Sequence, residues 1–251
     1  MDPKAELIKE YFSGLPKDRL KLETSEHGFG FLEEMLTGGM TLEYGERVLN
    51  KEVHKYKFSN VPEWRMDSLL VSHARKSCNV CLYFKDVANS LFAFNLDKDY
   101  RFDKVSSLPE MAAAVDLLRN TLTSVGCEPL VITSGKGFHF WCRLAGAVKN
   151  DQLYDFMLRA MAKTLYGLHK RGLDHNRISP RFYPDPGMRD KISLRLFGSD
   201  HASSKVFSRV STASGLLDED ASWVAFEKHL RTSTIALEAF RIARKSINGQ
   251  I

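Results

Sequence analysis

Apolar residues recur along this chain with two different periods, and the switches between them mark where strands and helices should fall. In residues 90–97, Phe92, Phe94 and Leu96 alternate with Ala93, Asn95 and Asp97, which predicts a strand whose polar end lies on one face. A second apolar run, 79–84, lies just upstream, so a hairpin or a pair of neighbouring strands is expected. The period then changes. Met111, Val115, Leu118, Leu122 and Val125 repeat at helical intervals until Gly126, and Ser107 with Glu110 has the spacing of a capping box. Further helices are expected over 62–74, 152–168, 218–230 and 234–246, and strands over 130–133, 138–144, 192–197 and 205–210. Residues 170–190 carry Arg171, Arg177, Arg181 and Arg189 among three prolines, which reads as a basic loop and a candidate polyanion surface. The first sixty residues have only one short amphipathic stretch, Ala5 to Phe12.

Strands interleaved with helices, with at least one hairpin, predict an α/β chain of α+β type with a mixed, largely antiparallel sheet flanked by helices. A length of 251 residues with 43% hydrophobic and 11% aromatic content suffices for one large domain or two closely packed subdomains and excludes a disordered chain. The divisions expected are 1–78, 79–215 and 216–251. No apolar run has the length of a membrane span, so no membrane association is expected. The charged N-terminus lacks the apolar stretch of a signal peptide. With four cysteines, this points to reduced thiols in the cytoplasm or nucleus. A net charge of +5 is compatible with a polyanionic partner without requiring one.

Three segments carry candidate chemistry. Asn95 and Asp97 end their strand with side-chain oxygens on one face, the kind of donors that hold Mg²⁺ or Mn²⁺. The turn Ser134, Gly135, Lys136 and Gly137, followed by His139, sets a hydroxyl, an ammonium, two glycine amides and an imidazole close together, which suits a phosphate. Its spacing is not that of a P-loop. Asp190 followed by Arg195, Ser199, His201 and Lys205 forms a second group able to neutralise a triphosphate or a template backbone. Cys78 and Cys81 with His73 make only part of a zinc site, and with no second CxxC pair zinc is not expected.

In this order, the three segments resemble the archaeo-eukaryotic primase superfamily over roughly residues 90–210. Asn95-Leu-Asp97 corresponds to its Asp-hydrophobic-Asp motif, and Ser134 to His139 matches its Ser-Gly-x-Gly-x-His motif throughout. Asp190, Arg195, Gly198-Ser199, His201 and Lys205 correspond to its third carboxylate and the following strand. The resemblance implies a primase or primase-polymerase: template-directed nucleotidyl transfer from a nucleoside triphosphate on single-stranded DNA with a primer, with two metal ions on residues 95, 97 and 190. It places the phosphates on Ser134, His139, His201 and the basic residues, and a large primase subunit or a helicase is a possible companion. Two positions depart from the pattern. Asn95 replaces an aspartate, and Lys205 lies four residues after His201 where the family places its lysine two after. The amide gives up a charge, which lowers metal affinity and turnover. It is compatible with a non-catalytic relative that holds nucleotide or nucleic acid, with an active site that recruits Asp99 instead, or with a laboratory substitution that blocks turnover and traps substrates. A metal-dependent phosphoesterase using Asp97, Asp99 and Asp190 is the remaining alternative.

Overall fold

The computed structural model describes residues 2–11, 20–25, 42–49, 52–60, 66–77, 79–84, 88–98, 109–135, 137–188, 193–201 and 206–248. The chain divides into two compact units, one made of residues 1–85 and 190–208, the other of 86–189 and 209–251. The core expected over 79–215 therefore draws on both units.

In the first unit, α1 (Pro3–Tyr11) buries Ala5, Ile8 and Tyr11, one residue every three, and α2 (Met66–Ala74) buries Leu69 and Leu70. Strands β1 (Leu20–Ser25), β2 (Leu42–Leu49), β3 (Glu52–Asn60), β4 (Asn79–Tyr83) and, much later in the chain, β9 (Ser193–Arg195) form an antiparallel sheet in the order β2-β3-β1-β4-β9.

The second unit holds the longer strands. Here β5 (Ala88–Lys98), β6 (Leu130–Thr133), β7 (Gly137–Lys149), β8 (Ile178–Tyr183) and the two-residue β12 (Thr234–Ile235) form a five-stranded sheet. Strand β5 is central, antiparallel to β7 on one side and to β8 on the other. The other edge of β7 is shared by β6, antiparallel at residues 138–141, and β12, parallel at residues 143–144. A small hairpin, β10 (Ser211–Thr212) with β11 (Gly215–Leu216), follows the return from the first unit.

Antiparallel partners directly opposite each other share a face, so this register sorts the side chains. Phe92, Phe94 and Leu96 stand with Phe140, Cys142 and Phe182 on one face. All are buried in a single apolar core with α3 (Pro109–Ser124), α4 (Asn150–Lys170) and α6 (Leu237–Asn248). Phe92 packs edge-on to Phe156 of α4, and it lies 5.9 Å from Phe240 of α6; Phe94 packs edge-on to Phe140 and Phe182. Aromatic pairs of this kind contribute about 0.5–1.5 kcal/mol each beyond their buried area. The last helix of the unit to be named, α5 (Glu219–Thr232), starts where Asp218 accepts the Ala221 N–H at 2.8 Å. Among the described residues no helix is long and apolar enough to cross a membrane.

The mixed α+β architecture is as the sequence predicts, with four local differences. The run 79–84 does not pair with β5: β4 lies between β1 and β9, and both edges of β5 are taken by β7 and β8. The basic segment 170–190 is not all loop, because Ile178–Tyr183 is a strand. It tolerates Pro180 because β8 lies at the edge of its sheet, where a missing N–H leaves no broken ladder. Residues 206–210 make isolated bridges at Phe207 and Val210 instead of a strand, and Thr234–Ile235 pairs with β7 before the last helix begins. Ser107 lies outside the described residues.

Candidate active site

The face of the β5 sheet opposite the apolar core carries the polar residues. One register row runs Arg181, Asn95, His139 and Ile132 across β8, β5, β7 and β6; the next runs Ser179, Asp97 and Gly137. His139 lies more than forty positions after Asn95 and Asp97 in the chain, yet the three are neighbours on one surface because β5 and β7 pair in this register. All three are less than a tenth exposed. Asn95 Nδ2 donates a hydrogen bond to Asp97 Oδ2 at 2.9 Å. Asn95 Oδ1 is buried and has no hydrogen-bond partner among the described residues. A buried carbonyl oxygen without a donor costs about 1–3 kcal/mol, a cost that a hydrogen-bond donor or a cation at this position would offset. His139 stands edge-on to Trp141, with ring centroids 6.5 Å apart, one row further along the same face.

The turn preceding His139 is tied down from both sides. Ser134 N–H donates to the Gly137 carbonyl at 2.8 Å, and Ser134 Oγ accepts the Gly137 N–H at 2.9 Å. Gly135 has φ +85°, open to glycine at little cost. Gly137 is required for a different reason: a Cβ there would come within 1.8 Å of the Leu96 carbonyl oxygen. Glycine thereby lets β7 approach β5 beside Asp97. Thr133 N–H donates to the Arg209 carbonyl at 2.8 Å while Thr133 Oγ1 accepts the Arg209 N–H at 2.9 Å, fixing the upstream arm. The Gly137 amide and the Ser134 amide are thus both engaged within the turn. Lys136 lies outside the described residues.

The third segment is divided. Asp190 and Lys205 lie outside the described residues, as does Asp99. Arg195, Ser199 and His201 belong to the first unit. There, buried Arg195 donates to the Ser199 carbonyl at 3.0 Å and His201 N–H donates to the Val206 carbonyl at 2.9 Å. His73 is also accounted for in that unit: its Nδ1 accepts the Val80 N–H, and its Nε2 faces the Phe197 carbonyl, both at 3.0 Å. This arrangement fixes a neutral ring protonated at Nε2. Cys81 is buried, and Cys78 lies outside the described residues.

Arg181 is the residue that sequence reasoning placed in a loop and the structure places in the site row. The signal was the alternation of Ile178, Pro180 and Phe182, which face the core, with Ser179, Arg181 and Tyr183. Among the described residues no group of three His, Cys, Asp or Glu side chains could hold a metal ion. The described oxygen donors suited to a hard cation are Asn95 Oδ1 and the Asp97 carboxylate, side by side on one face.

No protein-family model matches the chain, and no curated protein matches it significantly in sequence. Among solved structures it is similar to the polymerase domain of Mycobacterium tuberculosis Ligase D in complex with DNA, at 13% identity and a TM-score of 0.43, over 96% of this chain and 92% of that one. It is also similar to the AEP domain of the cyanophage S-2L primase-polymerase, at 11% identity and a TM-score of 0.39, over 89% of this chain and 96% of the other. Both likenesses are distant, and the weight of a functional reading falls on the residues of the site.

Proposed function

We propose that this chain binds a nucleoside triphosphate on the polar face of β5 and β7 and acts as a template-dependent nucleotidyltransferase of primase-polymerase type, with turnover lowered by Asn95. The observation that carries the reading is the pairing of Asn95 and Asp97 beside His139 on one buried face, next to a glycine turn held rigid by Ser134. The residues fit a divalent cation in part: the orphaned Asn95 Oδ1 and the Asp97 carboxylate would hold it, with Asp190 as the remaining ligand that the resemblance implies. When bound, Mg²⁺ or Mn²⁺ would supply Lewis acidity toward the phosphates and the attacking hydroxyl. His139 presents an imidazole one strand away from Asn95, within reach of a phosphate oxygen held over that row. The Ser134 turn keeps the start of β7 in place, so the positions of Gly137 and His139 relative to Asp97 are set before substrate arrives.

The test is incorporation of labelled nucleotide on primed single-stranded DNA with Mg²⁺ or Mn²⁺, alongside calorimetry with triphosphate. Asn95→Asp should raise incorporation by at least about tenfold by restoring the missing charge. His139→Ala should weaken triphosphate binding. A folded Asn95→Asp protein that incorporates nothing overturns the polymerase reading. The same neutral Asn95 favours a second reading, a module that binds nucleotide without chemistry, and retained binding in a protein inactive at either residue 95 supports it.

A further inference from the structure

Arg181 belongs to none of the three motifs, yet the register of β8 on β5 sets it directly opposite Asn95 and in the same row as His139. Its side chain is exposed at the sheet edge, and among the described residues it makes no ion pair or hydrogen bond. The row is therefore ordered as a guanidinium, a neutral amide and an imidazole, flanked in the next row by Ser179, Asp97 and Gly137. Adjacent strands lie about 4.8 Å apart, so Arg181 and His139 stand about 10 Å apart at the backbone, with Asn95 between them. A guanidinium and an imidazole on one face at that spacing match the length of a nucleotide's phosphate chain.

An aspartate at position 95 would face the guanidinium across the strands and draw it into an ion pair. The amide does not, so the five N–H groups of Arg181 are not drawn into an ion pair with residue 95. We propose, resting on the nucleotide-binding reading above, that Arg181 is a phosphate-binding residue of this site, gripping the triphosphate from the β8 side while His139 holds it from β7. A guanidinium grips phosphate oxygens in pairs, which a lysine at the same place does less well.

The experiment is calorimetry in Mn²⁺ with three probes: ATP, adenosine and a single-stranded oligothymidylate. The proteins are the unmodified chain, His139→Ala, and two charge-removing variants, Arg181→Gln and Arg181→Met, with Arg181→Lys for geometry. At an exposed edge position both neutral variants should fold, and either one that does is sufficient. Loss of a charge-assisted contact predicts ATP binding weakened about tenfold, with adenosine and oligothymidylate binding unchanged and a partial recovery in Arg181→Lys. If His139→Ala weakens ATP binding and the neutral Arg181 variants do not, the Arg181 assignment falls and the nucleotide site stands. If those variants weaken oligothymidylate binding alone, the phosphate gripped is the strand's, and the assignment is again overturned. If the unmodified chain binds no ATP, both readings fall together.

Discussion

Along β5, Phe92, Phe94 and Leu96 are wholly buried against the helices, and Ala93, Asn95 and Asp97, one residue out of phase, are nearly as buried on the other face. The first set is closed: its rings pack edge-on against Phe140, Phe156 and Phe182, and nothing polar is left to satisfy. The second set is open in a chemical sense, since Asn95 keeps a buried carbonyl oxygen without a donor among the described residues. Burial on one face stabilises the fold, and on the other it holds a polar group out of water at a cost. A ligand that met that oxygen would recover the cost, and the proposed function places one there.

The sharpest way to break this contrast is to truncate the closed face. Phe94→Ala removes a fully buried ring that touches Phe92, Phe140 and Phe182, and should cost about 3–5 kcal/mol in urea unfolding. A loss under about 1 kcal/mol would mean that the face is loosely packed and that the two faces do not differ as described.

How far that contrast was legible in the sequence follows from what each signal depends on. The alternation in β5 is a local property of the chain, so the separation of Phe92, Phe94 and Leu96 from Asn95 and Asp97 could be read without the structure. The Ser134 turn was also legible, but the reason for Gly137 was not, because the Leu96 carbonyl that excludes a Cβ there comes from another strand. Strand β8 was hidden by Pro180 and Arg181, whose edge position makes them tolerable only once the sheet order is known. Pairing partners are a non-local choice, and the expectation that residues 79–84 would join β5 failed because adjacency in sequence says nothing about which edge is already taken.

A second test turns from the open face to a buried titratable group on a helix. His229 on α5 faces the Glu128 carbonyl at 3.0 Å, and burial pushes its pKa down from 6.5 to about 4. The folded state therefore takes up this proton later than the unfolded chain does. Stability from this group is complete above pH 6.5 and is lost as pH falls toward 4, by about 3 kcal/mol in all. Chemical denaturation between pH 7 and pH 4 should show that loss, and His229→Gln should flatten it. If the slope survives the substitution, the titrating group lies elsewhere.

The smallest effect expected is also the most specific to the site. In the unmodified chain, Arg181→Gln should change stability by less than about 0.5 kcal/mol, since Arg181 is exposed and has no charged partner among the described residues. Asn95→Asp alters that background in two ways. It sets a second carboxylate beside buried Asp97, replacing the hydrogen bond that Asn95 Nδ2 now donates with a like-charge contact. It also gives Arg181 an opposite charge directly across the strands. Asn95→Asp alone should therefore be less stable than the unmodified chain without divalent cation and should gain more stability than it does when Mn²⁺ is added. Within that background Arg181→Gln should cost about 0.2–1 kcal/mol more than it does beside Asn95. A double-mutant cycle measured without metal reads this difference directly. A coupling of zero would place the two side chains on different faces, and the register row that joins Arg181 to Asn95 and His139 would have to be redrawn.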